Sequence, residues 1–507
     1  MMNNWKRAGS AAVVFLVAAL VGCGGSFEGA EPPSATVLRV EGRSMSEPGA
    51  ALPSMVKSRE TVLVTTTSRV MLGPLEASKS LVSTEWGRQL VGVGRDIGVT
   101  STPDQTLQHL RWNRTPAGGQ VAAVSFTAQD AKGLRLGVQI DALPGAAKLR
   151  IYSQERNSIV FQITGEELLQ RIQGNVNAGD SSKEARTWWT PDLGSEEVTL
   201  EVELPVSVDT SALKISVPRL SHIFSELNLL GEPEGQAKIN ESADCHLDAT
   251  CDDTYANQRN AVARMLFNNG GRTYLCTGTL LNDSKNSGIP YFLSASHCIS
   301  NQTVASTIQT DWFYRSPSCN SRSLSSASSK RYNGAVLLSA SNSTDVSLMR
   351  LNDAPPAGAF FAGWDASLGE SATGAAVAGL HHPRGDLLKI SKGRVLGQIG
   401  CTTTGDTQFS CSGTSGNFQR VAWSQGSTEG GSSGSALFSG DRRHVIGTLY
   451  GGAASCTAMG TSFDVYGRFD VAYNENLSQW LGGSASDSNT SRALESILKI
   501  LRVSSMN

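Results

Sequence analysis

The chain has 507 residues, 39% of them hydrophobic and 17% charged, with 52 glycines and a formal charge of −2 at pH 7. That length allows roughly two to four domains with cores of their own. The low charged fraction suits loop-rich all-β structure in an extracellular setting, and the balanced charge excludes a global field that attracts nucleic acid or an anionic membrane.

The first 22 residues read as an export signal. Lys6 and Arg7 make the start positive, and Ala11 to Val21 is an apolar run too short for a comfortable membrane span. It ends in Leu20-Val21-Gly22-Cys23, which resembles the bacterial lipoprotein box. Cys23 is therefore expected to carry lipid and become the new amino terminus; ordinary signal cleavage nearby is the alternative. Gly24 follows, in place of the aspartate that retains many such proteins at the inner membrane. The expected location is the bacterial outer membrane for an anchored precursor, with any mature product secreted or periplasmic.

Residues 24 to about 60 are rich in Gly, Pro, Ser and Glu and read as a tether. From 61 to 228, alternating runs predict strands, among them Thr61–Val64, Leu134–Ile140 and Val198–Leu204. Ile163 to Arg171 predicts a short helix starting near Thr164 or Gly165. No chemical motif is legible in this region. Gly231 to Gly235 is a linker signal, after which strand-like runs separated by Gly/Ser/Asn turns continue to about residue 470. Val471, Leu477, Trp480 and Leu481 predict a short closing helix. A polar tail follows, with an amphipathic stretch from Ala493 to Val503.

Nine cysteines are present; setting Cys23 aside leaves eight, all between Cys245 and Cys456. An even, clustered set in an exported chain reads as a disulfide framework. No CxxC occurs, so zinc is not expected, and no run of Asp and Asn suggests calcium.

Three segments carry chemistry. They are Phe292-Leu293-Ser294-Ala295-Ser296-His297-Cys298, Ser343-Thr344-Asp345-Val346-Ser347-Leu348 and Glu429-Gly430-Gly431-Ser432-Ser433-Gly434-Ser435. A serine hydroxyl is a poor nucleophile until an imidazole takes its proton, and a buried carboxylate must hold that imidazole in one tautomer. His297, Asp345 and Ser433 supply these groups in the chain order of a double β-barrel protease. The tetrahedral intermediate needs two oriented N–H donors, assigned to Gly431 and Ser433. A competing pattern, G-x-S-x-G with Ser432 as nucleophile, requires a strand–turn–helix and more distant partners than Asp441 and His444.

From Cys245 to about Gly482 the chain resembles the trypsin-fold bacterial lysyl endopeptidases. The matching stretches include CHLDATC, CTGTLLND, YFLSASHC, STDVSLMRL, HHP, TEGGSSGSALF, VIGTLYGG and DVYGRF. Residues 24 to 238 resemble the pro-region of such enzymes only loosely. The implied fold is two packed antiparallel six-stranded β-barrels after a β-rich pro-domain. The implied boundaries are signal 1–22, tether and pro-region 23–238, protease 239–482 and tail 483–507. The resemblance places the triad on His297, Asp345 and Ser433. It joins Cys245 with Cys456, Cys251 with Cys319 and Cys276 with Cys298, leaving Cys401 and Cys411 as an additional pair.

Ordinary trypsins carry an aspartate where this chain has Ser427; the family draws instead on an acid that here is Asp464, and Glu429 could share the pocket. Buried carboxylates select a cationic side chain, so cleavage after Lys, with Arg weaker, is expected. Gly451 and Gly452 are expected to pair with substrate backbone. Tyr450 departs from the family, which has histidine there. His381 and His382 are neighbours that would face opposite ways on a strand, which argues against a shared metal ion. Self-cleavage at Lys238-Ile239 is expected to remove the pro-region. The new amino terminus cannot make the usual ion pair, because Ser432 precedes the nucleophile. The expected partners are protein or peptide substrates, with no cofactor, no nucleic acid, a membrane contact only through lipid on Cys23, and a monomeric state. A catalytically silent binding module of the same fold is the alternative from a different functional class.

Overall fold

The computed structural model describes residues 37–45, 67–75, 87–154, 160–227, 241–367, 372–403 and 409–483, with the backbone of the short strands Val56–Lys57 and Thr84–Glu85. The export signal, Cys23, Thr61–Val64, the 231–235 linker, Lys238-Ile239 and the stretch Ala493–Val503 lie outside the described residues.

Among the described residues, the stretch read as a tether contains the short strands β1 (Arg39–Val40) and β2 (Arg43–Ser44), besides Val56–Lys57. The amino-terminal half then builds β3 (Ser68–Leu72), β4 (Arg88–Asp96), β5 (Gln120–Ala128), β6 (Gly133–Ala142), β7 (Lys148–Tyr152), β8 (Val160–Thr164), β9 (Glu197–Leu204) and β10 (Lys214–Ile223). Alternation works as expected in β9. Val198, Leu200, Val202 and Leu204 enter the apolar core, while Glu201 on the other face is buried against Arg150, 2.7 Å away. One sheet orders β8-β7-β9-β5-β3, and β4-β10-β6 lie side by side in a second.

The helix expected to start near Thr164 or Gly165 does so, and it runs over Gly165–Asn177, past the expected end at Arg171. Thr164 both ends β8 and is the N-cap of a reciprocal capping box with Glu167, which sets the start; the amphipathic face then continues past Arg171.

In the carboxy-terminal half, β11 (Val262–Asn269), β12 (Arg272–Leu281), β13 (Tyr291–Ala295), β14 (Gln309–Trp312), β15 (Ala335–Ser341) and β16 (Val346–Leu351) form the first antiparallel unit. Among the described residues no pairing joins β14 to β15, so this unit is a half-barrel and not the closed barrel expected. Its edge at β14 is continued by Ser329–Arg331. The two short strands β17 (Phe360–Phe361) and β18 (Trp364–Asp365) follow.

The second unit comprises β19 (Ala376–His381), β20 (Lys389–Thr403), β21 (Phe409–Ser412), β22 (Phe418–Gln425), β23 (Ala436–Ser439), β24 (Val445–Gly452) and β25 (Asp464–Arg468). Pairing runs β19-β20-β22-β25-β24-β23 and returns to β19, closing a six-stranded antiparallel barrel. Phe469 to Leu481 then forms the expected closing helix, with a π-helical stretch over Tyr473–Leu477.

The two halves are sewn together by main-chain hydrogen bonds. β4 pairs antiparallel with β12, so one sheet crosses the expected domain boundary. β1 pairs with β18 and β2 with β17, which buries Val40 in the same core as Trp364. A short extended segment that satisfies its backbone groups on another sheet is a strap and not a free tether.

Candidate active site

His297 lies just beyond the end of β13, and Asp345 just before β16; these strands are neighbours in register, with Ala295 opposite Val346. The pairing brings two side chains far apart in sequence to one point. His297 Nδ1 is 2.7 Å from Asp345 Oδ2, and the His297 backbone N–H donates to Asp345 Oδ1 at 2.8 Å. Asp345 is buried, which raises its carboxyl above the ordinary range, while the adjacent His297 opposes the rise. Asp345 has φ +53°, a left-handed backbone unusual for a residue with a side chain. Both carboxylate oxygens are thus committed to one histidine.

Ser433 sits in the turn before β23. Thr277 of β12 donates its N–H to the Ser433 carbonyl at 2.9 Å, and Thr277 Oγ1 donates to the Gly431 carbonyl at 2.9 Å. Gly431 has φ +91°, and a Cβ there would come within 3.0 Å of the His382 carbonyl, so only glycine fits without displacement. Gly434 is similarly confined, with φ +81° and a Cβ position 2.6 Å from the Thr277 carbonyl.

The Gly431 N–H donates to the carbonyl of Gly87 at 2.7 Å. Gly87 precedes β4, in the half where no chemical motif was legible. A Cβ built on it would overlap Ser433 Oγ and lie 3.5 Å from His297 Nε2. Ser433, His297 and the Gly431 amide therefore converge on one residue. A single glycine in an undistinguished stretch offers no signal for this; only the β4–β12 pairing creates it.

Ser432 Oγ is bound 2.8 Å from His381 Nδ1, and His381 Nε2 is 3.0 Å from Ser391 Oγ, which donates to the Ser427 carbonyl at 2.7 Å. Burial drives the His381 pKa well below its usual value. Ser432 therefore anchors the turn through His381 and does not act with Asp441 or His444. His444 instead faces Glu41 of the strap at 3.0 Å.

Asp464 opens β25 and is buried, with Gly452 opposite it across the ladder. Its Oδ2 accepts from Trp423 Nε1 and Thr428 Oγ1, each at 2.7 Å, and its Oδ1 accepts from the Ala454 N–H at 3.3 Å. Burial pushes its pKa up to about 6 against those three donors. Glu429 faces elsewhere. It accepts from the Ala243 N–H at 3.0 Å and lies 3.1 Å from both His246 Nε2 and Arg384 Nε, so its contacts are with the segment around Cys245 and the loop after β19.

Tyr450 is 6.0 Å from His297, ring centre to ring centre, and stacks between Phe409 at 4.2 Å and Phe418 at 5.0 Å. Phe409 arrives on a hairpin closed by Cys401–Cys411, where both cysteines are directly opposite in register. The other disulfides are Cys245–Cys456, Cys251–Cys319 and Cys276–Cys298, the pairing that the family resemblance implies.

Residues 239–467 match the family model of the lysyl endopeptidase C-terminal domain, and residues 65–224 match that of the lysyl endopeptidase N-terminal domain. The lysyl endopeptidase of Pseudomonas aeruginosa is 32% identical over 400 residues, covering 76% of this chain and 80% of that protein. Among solved structures, the active form of the Rv3671c protease from M. tuberculosis is 15% identical with a TM-score of 0.31, over 47% of this chain and 89% of that one. The HtrA-type protease AlgW with a tripeptide is also 15% identical with a TM-score of 0.31, over 45% and 62%.

Proposed function

The chain belongs to the lysyl endopeptidase family of trypsin-like serine endopeptidases, and from that premise we propose that it cleaves peptide bonds after Lys, with Arg weaker, through a Ser433 acyl-enzyme. His297 takes the Ser433 proton and returns it to the leaving amine; Asp345 holds the imidazole in the required tautomer and stabilises its charged form. The backbone N–H groups of Gly431 and Ser433 receive the oxyanion. The observation that carries this reading is the convergence of His297, Ser433 and the Gly431 amide on one point, with the imidazole fixed by Asp345.

Specificity is assigned to Asp464. A buried carboxylate already holding three donors would be left without a counter-charge by an apolar side chain, whereas a lysine ammonium supplies one. Gly451 and Gly452 flank it on β24, and Tyr450 supplies an aromatic wall where the family has histidine.

The whole chain reads as an exported zymogen, monomeric and anchored by lipid on Cys23, with Gly87 as the plug. Cleavage at Lys238-Ile239 would cut the chain without breaking any hydrogen bond of β4 or the strap, so it would not by itself clear the site. Once the pro-region is gone, hydrolysis of matched Lys, Arg, Glu and Phe amides by wild type and Ser433→Ala tests the reading. Lys should be cut fastest, and the variant should lose a factor on the order of 10⁶. Equal inertness of both would leave the binding-module alternative standing.

A further inference from the structure

We propose that Tyr274, on the edge of β12 that β4 covers, makes the enzyme favour a cationic residue directly after the scissile bond. This inference rests on the endopeptidase reading above. It begins with the Gly87 carbonyl, which sits on the Gly431 N–H as the carbonyl of a scissile bond would. The residue after Gly87 then holds the place of the new amino terminus released by cleavage, and that residue is Arg88.

From Arg88 onward the pro-region is a strand, in step with β12 at Gln89 and Leu90 and bulged between Leu90 and Gly92. Gln89 pairs with Leu275 and Leu90 with Tyr274, antiparallel, along the half of β12 that β13 does not cover. When β4 leaves, the main-chain groups of Thr273 to Leu275 on that side lose their partners. An extended substrate can replace β4 by adding a strand to the same edge.

The register also decides which side chain meets which. Leu90 is directly opposite Tyr274, and Arg88, two residues earlier, is its diagonal neighbour on the same face of the sheet. The Arg88 guanidinium lies over the Tyr274 ring, 4.5 Å from its centre. Tyr274 is itself fixed by stacking on Phe267 at 5.8 Å. A rigid aromatic face at the edge of a substrate track attracts a cation, and Arg best matches its flat surface.

The test uses enzyme matured from the full chain and titrated for active serine. It is given acetyl-Ala-Ala-Lys-Xaa-Gln-Leu-amide peptides with Xaa as Arg, citrulline, Ala or Glu, and mass spectrometry identifies the bond cut. Arg should raise kcat/KM about two- to five-fold over citrulline, its neutral near-isostere. The ratio should persist in Tyr274→Phe and fall to about one in Tyr274→Leu. If Tyr274→Leu does not fold, the Arg-to-citrulline ratio of the wild type decides alone. Equal rates for all four peptides overturn the inference and leave Lys specificity intact, as does an Arg preference that survives in Tyr274→Leu. Failure to cut any Lys bond in the series overturns the endopeptidase reading itself.

Discussion

The carbonyl of Gly87, just before β4, lies 2.7 Å from the amide nitrogen of Gly431 in the turn before β23. Gly87 has φ +74° and no room for a Cβ beside Ser433 Oγ. Alanine in that left-handed conformation costs about 1–2 kcal/mol before any clash. Gly87→Ala should therefore loosen the plug. In the uncleaved precursor, Ser433 should react with a small sulfonyl fluoride about tenfold faster than in the unaltered precursor. An unchanged rate would mean that the Gly87 contact is not what shields the serine.

His381 is a positioning residue for the turn that presents Gly431 and Ser433, because its imidazole holds Ser432. Its lowered pKa keeps the ring neutral, so it acts as a hydrogen-bonding group and not as a charge. His381→Ala should reduce kcat by about ten- to a hundred-fold per titrated active site, with KM changed less than about threefold. His381→Gln should recover part of the loss. A purely structural role would lower Tm and leave kcat per active site untouched.

With Asp464 as the proposed specificity acid, specificity should depend on pH. With its pKa near 6, the carboxyl becomes neutral below that value, and kcat/KM for Lys substrates should fall as pH drops through about 6. Because the folded pKa lies above that of an unfolded aspartate, this group's contribution to stability is complete at low pH and is lost as pH rises through about 6. Asp464→Asn removes the buried charge. At pH 8 the variant should melt no lower than wild type, yet its kcat/KM for Lys substrates should fall by at least about 10². Retained Lys preference in this variant would move the specificity acid elsewhere.

The Cys401–Cys411 bridge closes a short hairpin that carries Phe409 onto Tyr450. Replacing both cysteines by serine should lower stability by about 2–3 kcal/mol, as loop-closure entropy for a loop of that size implies. It should also raise KM by releasing one side of the aromatic wall. Urea unfolding and steady-state kinetics on the same preparation would separate the two effects. A normal KM with lowered stability would make the hairpin a staple without a part in binding.

Some of this was legible in the residues. Strand alternation at Leu134–Ile140 and Val198–Leu204 fell inside β6 and β9, because successive side chains take opposite faces of a strand; the polar face is buried too, with Arg135 and Glu201 on it. Other readings stopped short. The helix start near Thr164 or Gly165 was legible from its capping residues, but its end at Asn177 lies beyond the expected Arg171. Glu429 was placed with the specificity pocket on its nearness to Ser433, but its partners, His246 and Arg384, come from segments distant in sequence.

By itself the sequence determined the chemical inventory: a histidine, an aspartate and a serine in order, a glycine-rich turn, and eight cysteines beyond residue 240. These are covalent facts, and the motifs around them are local. Tertiary structure alone decided that the first unit stays open, that residues 37–45 strap the catalytic half, and that Gly87 meets Gly431. Each of those depends on backbone hydrogen bonds between strands, and a backbone N–H or carbonyl is the same in every residue but proline. Which edge a strand pairs with depends on the side-chain contacts of both strands together, so neither strand's local pattern shows it and it appears only when both are in place.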